Sequence, residues 1–341
     1  MTPRQQPPTG NAAVDITVVV CTYNRCQNLA RTLNSLAESS LPESVGWEVL
    51  VVDNNSSDAT REVVMQFAEL YPSRFRYAFE PRQGKSHALN TAVQAARGDI
   101  LAFTDDDITV EPTWLRNLTE PLFETRWSGS GGPVLLAWPC PPPRWIPSAE
   151  KHGLSPLGYL ERGLEAGRIQ ECPFGGNMAI RRSMFDKYGS FRVDLGPSTT
   201  SDCSLWRSNL PPRTSEDDEF CQRLIDGGEE LYYEPAAVVH HRVTEDRLRK
   251  EYFLAWWFEK GRGEARQSGA RARTRVYFLG VPTYLIRSLA VWTVKWILAI
   301  PSQRRFRNKL IVWNKVGQLL EFYRGTARQN AAPSANAARV R

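Results

Sequence analysis

Between residues 16 and 104, short β-branched runs alternate with helix-patterned segments, and few folds accept that alternation. ITVVVC (16–21) is apolar almost throughout, as a strand covered on both faces must be. WEVLVVD (47–53), a short run near 75–79 and DILAFT (99–104) read as further strands. Between them, Leu29, Leu33 and Leu36 give 28–38 a helical spacing, and Val63, Val64 and Phe67 do the same behind a cap at Ser57 or Asp58. A third helix over 85–97 has Gly98 as its stop. The reading is an α/β fold built on a mainly parallel, doubly wound sheet. Such sheets bind ligands beyond the carboxyl ends of their strands. Thr22-Tyr23-Asn24, Asp53 and Asp105-Asp106-Asp107 all fall there.

Past residue 125 the pattern loosens. WPCPPPRWIP (138–147) is too proline-rich for either regular element. SEDDEFCQRLIDGG (215–228) reads as a helix, with Ser215 and Asp218 as a capping box, Phe220 and Leu224 on one face and Gly227-Gly228 as its end. Short strands at 230–233 and 236–240 lead to His240-His241. Charge divides the chain as sharply. Residues 1–241 hold 22 Lys and Arg against 31 Asp and Glu, whereas residues 242–341 hold 21 against 6. An acidic part suits cations and a basic part suits phosphates, of nucleic acid or of an anionic membrane. Residues 276–300 are strongly apolar, but Pro282, Arg287 and Lys295 interrupt them, so an amphipathic pair at a membrane interface fits better than a spanning helix.

Three adjacent carboxylates at a strand end repel one another, and a hard divalent cation, Mg²⁺ or Mn²⁺, relieves that repulsion. In an extended segment Asp105 and Asp107 point one way and Asp106 the other. Glu216-Asp217-Asp218-Glu219, at a helix start, is either a dipole-matched cap or the source of a general base, and Asp217 is the best-placed candidate. GKS at 84–86 lacks the earlier glycine of a P-loop, since Phe79 stands five residues before Gly84, yet Lys85 or Arg82 suits a diphosphate. Gly175-Gly176-Asn177 offers close backbone approach and an amide, for sugar hydroxyls or for a plain turn. His240 and His241 are candidate metal or phosphate contacts.

In order, VVVCTYNR, VVDNNSSDAT, GKSHALN, FTDDD, FGGNMAI, SEDDEF and VVHHRV resemble the motifs of family 2 glycosyltransferases of GT-A fold, over residues 15–265. That resemblance implies inverting transfer from a nucleoside-diphosphate sugar. It implies nucleotide-sugar contacts from Thr22, Tyr23, Asn24, Arg25, Asp53, Asn55, Lys85, Asp105 and Asp106. It places Gly175, Gly176, Asn177 and Glu216 around the donor sugar and acceptor, with Asp217 as catalytic base. Asp105 and Asp107 match a metal motif completed by His241, although Asp106-Asp107 is the alternative pair and His240 the alternative histidine. The insertion at 190–214, with Pro197, Pro211 and Pro212, aligns with nothing in the family and reads as an acceptor-facing loop.

The expected organisation is a flexible leader (1–14), a GT-A catalytic domain (15–265), an amphipathic helical segment (266–330) and a disordered tail (331–341). The Pro- and Gln-rich start lacks a signal-peptide pattern and the six cysteines show no metal or disulfide spacing, so the expected location is cytoplasmic, peripheral at the inner face of the cell membrane. The acceptor is expected to be a saccharide or lipid-linked saccharide in polysaccharide or glycoconjugate synthesis. A Mg²⁺-dependent sugar-phosphate nucleotidyltransferase is the alternative enzyme, but TYNR stands where such enzymes need a Gly-rich loop. A non-catalytic scaffold is the alternative of another class. Trp292 and Trp296 lie one turn apart in an apolar run, which suits lipid or core rather than bases, so no nucleic-acid partner is expected.

Overall fold

The computed structural model describes residues 14–124, 126–146, 154–195, 216–268, 276–278, 281–300 and 302–331. Strand β1 (Ile16–Thr22) lies between β2 (Trp47–Asp53) and β4 (Ile100–Asp105), both parallel to it, and β3 (Phe75–Phe79) runs parallel outside β2. The pleat sends Val18, Val20, Val49 and Val51 to one face, where they pack with Leu29, Leu33 and Leu36 of α1 (Cys26–Ala37) and Val64 and Phe67 of α2 (Thr60–Leu70). Val19, Leu50, Val52 and Phe103 alternate onto the other face. There they meet Ala88, Leu89 and Ala92 of α3 (Lys85–Ala95). Each fully buried side chain of this size contributes about 1.5–3 kcal/mol, so the alternation fixes the register of every strand.

The register aligns the strand ends. Thr22 stands opposite Asp53, and Cys21 opposite Asp105. Asp107 is followed by β5 (Ile108–Val110), beyond which lie α4 (Trp114–Thr119), β6 (Gly129–Gly131), β7 (Val134–Ala137) and β8 (Gly167–Ile169). Next, β9 (Asn177–Arg181) pairs antiparallel with β4, setting Asn177 opposite Thr104. After α5 (Ser183–Tyr188) and α6 (Glu216–Asp226), β10 (Leu231–Tyr233) completes an eight-stranded sheet ordered β3-β2-β1-β4-β9-β6-β10-β8. A small second sheet pairs β11 (Val239–Arg242) antiparallel with β5 and parallel with β7. Because β5 directly follows the Asp triplet, this pairing, with His241 opposite Ile108, carries the histidine to the metal-motif end of the large sheet.

Helix α7 (Lys250–Ser268) packs along α9 (Ser302–Ala331), and α8 (Thr283–Leu298) lies on α9 as well. The α7–α9 crossing is tight because it passes over two glycines: a Cβ on Gly261 would lie 2.0 Å from the Asn314 carbonyl oxygen, and one on Gly317 would lie 2.1 Å from that of Phe258. Glu321 ties the pair together by accepting hydrogen bonds from Arg262 at 2.9 Å and Arg266 at 2.8 Å. Trp145, Phe253 and Phe306 join these helices to the loop after β7 through edge-to-face rings. Among the described residues no helix is long and apolar enough to cross a membrane.

Several boundaries differ from the sequence reading for identifiable reasons. Helix α3 stops at Ala95, and Ala96 is already extended. Gly98 serves a different demand, since a Cβ there would lie 2.5 Å from the Thr17 backbone nitrogen. Helix α2 starts at Thr60 after an Ala59 N-cap, while Asp58 accepts from the Thr60 amide at 3.1 Å and from the Cys26 amide at 2.9 Å. The strands expected at 230–233 and 236–240 run over Leu231–Tyr233 and Val239–Arg242. Helix α7 straddles residue 265, the expected end of the catalytic domain. The leader at 1–13, Ser215, Cys203, the prolines at 197, 211 and 212, and the tail at 332–341 lie outside the described residues.

Candidate active site

The site forms where β1, β4 and β9 present their ends to the start of α6. Lys85, the first residue of α3, donates from Nζ to Asp105 Oδ1 at 2.6 Å. Gly175 and Gly176 carry the loop between this pair and α6. A Cβ on Gly176 would lie 2.8 Å from Asp105 Oδ2, and one on Gly175 would lie 2.1 Å from Asp217 Oδ2, so the chain here must pass as bare backbone. A narrow cleft results, lined by Lys85, Asp105, Gly175, Glu216 and Asp217 together with Cys21 and Thr104. Burial works against the Lys85 ammonium, but Asp105, Glu216 and Asp217 outweigh it and raise its pKa above the usual lysine value. Burial and the neighbouring Asp217 push the Asp218 carboxyl up to about 6.

The three aspartates do not share one environment. Residues 106 and 107 form a turn rather than a continued strand, so the alternation of an extended chain does not apply. Asp106 turns inward, accepting from Thr22 Oγ1 at 2.8 Å and Arg25 at 3.0 Å. Desolvation raises it to about 6 despite Arg25. Asp107 meets Arg247 at 2.9 Å, Arg25 at 3.3 Å and His241 Nε2 at 3.4 Å. Burial opposes its charge, but the guanidinium groups of Arg247 and Arg25 hold its pKa below the usual carboxylate range. His241 Nδ1 lies 2.6 Å from the Leu157 carbonyl and Nε2 lies 2.9 Å from Arg247 Nη1. A carbonyl only accepts and a guanidinium only donates, so the hydrogen sits on Nδ1 and the Nε2 lone pair faces outward, toward Arg247 and Asp107.

That lone pair and Asp107 Oδ1 form an adjacent nitrogen and oxygen donor set that fits a divalent cation, and the imidazole favours Mn²⁺ over Mg²⁺. No cluster of three or more such ligands occurs among the described residues, so substrate oxygens would have to complete the shell. His240, the alternative histidine, is instead 2.7 Å from Glu111, away from the triplet.

The nucleotide-sugar candidates are partly scaffold. Asp53 is buried and accepts from the Ser56 amide at 2.8 Å and from Tyr77 Oη at 2.9 Å. Asn24 and Asn55 take left-handed φ of 52° and 64°. Asn24 Oδ1 also receives the Ser57 amide at 2.7 Å, clasping the loop after β1 to the loop after β2. Tyr23 is exposed beside them. Asn177 is not at the cleft surface. Its side chain is wholly buried, accepting from Trp114 Nε1 at 2.8 Å and donating to the Pro133 and Ala237 carbonyls, so both amide hydrogens are taken within the core. Arg247 escaped the sequence reading because it is one of many arginines in the basic segment; its sole signal was the short step from His241.

Residues 17–189, about half the chain, match the family described as Glycosyl transferase family 2. The chain is 29% identical over 263 residues to the succinoglycan biosynthesis protein ExoM of Rhizobium meliloti, covering 77% of this chain and 78% of that one. It is 26% identical over 251 residues to the glucosyl-dolichyl phosphate glucuronosyltransferase of Haloferax volcanii, covering 71% and 74%. The fold resembles that of the mannosyltransferase PcManGT from Pyrobaculum calidifontis, solved with GDP-Man and Mn²⁺, at a TM-score of 0.54 and 20% identity over 95% of this chain and 79% of that one. It also resembles GalNAc-T7, solved with UDP, GalNAc and Mn²⁺, at a TM-score of 0.53 and 18% identity over 79% and 53%. The sheet with its helical C-terminal region is thus a GT-A fold, and the chain belongs to glycosyl transferase family 2.

Proposed function

We propose that this glycosyltransferase moves a sugar from a nucleoside-diphosphate donor to an acceptor hydroxyl with inversion, in the assembly of a polysaccharide or other glycoconjugate. The observation that carries the reading is the meeting of Asp217, Lys85 and Asp105 around one cleft, next to the Asp107–His241 pair. Asp217 takes the proton from the acceptor hydroxyl, whose oxygen attacks the anomeric carbon opposite the diphosphate. The bond from that carbon to the diphosphate oxygen breaks, and nucleoside diphosphate leaves. Lys85 holds Asp105 and places a fixed positive charge at the cleft. Asp107 and His241 would hold a divalent cation, which would supply neutralising charge for a diphosphate. The loops bearing Thr22, Tyr23, Asn24, Arg25, Asp53 and Asn55 are assigned to the nucleoside, with Gly175, Gly176 and Glu216 at the sugars.

The same reading places the chain peripherally on an anionic membrane, where a lipid-linked saccharide would be the acceptor. Its support is α8, whose outward residues Ile286, Val294, Ile297 and Leu298 are 40–71% exposed. Residues 265–320 hold eleven Lys and Arg and no Asp or Glu, as a partner of negative charge requires.

Purified protein incubated with UDP-, GDP- and dTDP-sugars should release nucleoside diphosphate, and EDTA should stop it. Release of pyrophosphate from nucleoside triphosphate and sugar phosphate would establish a nucleotidyltransferase instead. Full activity in Asp217→Asn would remove that residue from the role of base.

A further inference from the structure

Among the described residues Arg247 is the one group whose hydrogen bonds reach both members of the candidate metal pair. Its Nη2 donates to Asp107 Oδ2 at 2.9 Å and its Nη1 to His241 Nε2 at 2.9 Å. His241 Nε2 is itself in the candidate donor set, and Asp107 Oδ2 shares its carboxylate with the Oδ1 of that set; both side chains are buried. Arg247 itself sits on a short 3₁₀ turn, Glu245–Leu248, that contributes no buried residue to the core. Leu248 of the same turn packs partly against the cluster around Phe253, so release would come from the Arg247 side chain turning about its own bonds. Arg25 lies on the other side of Asp107 at 3.3 Å, but it is anchored to Asp106 and does not reach the histidine. A fork-shaped cation spanning a carboxylate and an imidazole lone pair is a competitor for those atoms and, once displaced, a ready partner for phosphate oxygens.

We infer that Arg247 is a positioning residue with two alternating sets of partners: Asp107 and His241 when no divalent cation is held, and the donor's diphosphate when one is. While on the protein it fixes the His241 tautomer and neutralises Asp107, keeping the pair ordered. When a divalent ion takes both donor atoms, like charge drives the guanidinium away from them, toward the phosphate oxygens of the donor. Metal entry and phosphate capture are thereby coupled through one side chain. The inference rests on the reading of the site as one for a nucleoside-diphosphate sugar.

The two jobs have opposite signs, and that makes the inference testable without turnover. In Arg247→Gln, Mn²⁺ binding to the protein alone, followed by the paramagnetic signal of the free ion, should tighten about tenfold, equivalent to about 1.4 kcal/mol. Binding of UDP or GDP at saturating Mn²⁺ should weaken by a similar factor. Arg247→Lys keeps the charge but cannot span both partners, so its nucleotide affinity should recover while Mn²⁺ affinity stays above wild type. Thermal unfolding checks that both variants are folded. Unchanged or weaker Mn²⁺ binding in both folded variants would overturn the inference, as would unchanged nucleotide binding in Arg247→Gln. If the wild type binds no UDP, GDP or dTDP at any Mn²⁺ concentration, the donor reading itself fails, and the inference with it.

Discussion

Gly175→Ala separates the position of the proposed base from its chemistry. The added methyl would stand 2.1 Å from Asp217 Oδ2, 2.9 Å from Cγ and 3.1 Å from Cβ. Ordinary contact begins near 3.4 Å, so the carboxylate must retreat by roughly 1 Å. The helix behind it does not yield easily, because Phe220 and Leu224 of α6 are fully buried and Phe220 stacks on Phe185 at 4.4 Å. The displacement therefore falls on the Asp217 side chain. A shift of this size in a catalytic group costs about 10²-fold in rate, against about 10²–10⁴ for the carboxylate's loss in Asp217→Asn. Crowding should cost about 1–3 kcal/mol of stability, toward the low end because the cleft is open. The assay is nucleoside diphosphate release at saturating donor and acceptor, on protein shown by circular dichroism to be folded. In the double variant the two losses should not multiply, since both act on one carboxylate. A folded Gly175→Ala with wild-type kcat, or a double variant whose losses multiply fully, would refute the placement of the base.

Other outcomes follow from the same geometry. Asp218 has a raised folded-state pKa of about 6, so its stabilising contribution is complete below its unfolded-state pKa and is lost as pH rises through 6. Asp218→Asn should therefore gain on the order of 1 kcal/mol over wild type at pH 8, with the difference vanishing near pH 4 in urea titrations. Mn²⁺ with a nucleoside diphosphate at about 100 times its Kd should stabilise the wild type by about 2.7 kcal/mol, and Asp107→Asn should lose the part that EDTA removes. Trp114→Phe strands Asn177 Oδ1 in the core and should cost about 2–4 kcal/mol without changing KM for the donor. Val294→Glu with Ile297→Glu, at positions 54% and 62% exposed, should leave Tm unchanged and abolish sedimentation with anionic vesicles; retained sedimentation would count against α8 as the lipid-facing surface.

The parallel half of the fold was legible because two periodicities coincide there. Val18, Val20, Val49 and Val51 are apolar at one pleat, Val19, Leu50 and Val52 at the other, and such runs leave no other strand environment open. In the second half β10 and β11 are legible, but β6, β8 and β9 are not, because three to five residues between loops carry too little periodicity. The partner of β5 is also 129–133 residues away, set by tertiary pairing alone. Among candidate residues, Lys85, Asp105, Glu216 and Asp217 were legible as charges at element ends, and the structure brings them to one cleft. Asn177 was misleading for a physical reason: an amide beside two glycines reads as a ligand contact, yet here it spans Trp114 and two carbonyls to join strands. No local pattern announces a buried side-chain network of that length.

In the sequence the Asp triplet reads as a concentration of negative charge that a divalent cation would relieve. In the fold each carboxylate has its own cation instead: Lys85 for Asp105, Arg25 for Asp106 and Arg247 for Asp107. The cations come from α3, from the residue before α1 and from the turn after β11, so the pairing depends on the large and small sheets both being formed. Three like charges on consecutive residues are thus tolerable without an added ion, because the penalty of burying each is offset by a direct partner. The arrangement also divides labour along three adjacent residues. Asp106, buried against Thr22, ties the turn to β1. Asp105 opens toward the cleft with Lys85, and Asp107 faces His241. Of the three internal cations, Arg247 alone spans both candidate ligands, so on the proposal above metal affinity would be set by how firmly that arginine holds its place rather than by the number of aspartates.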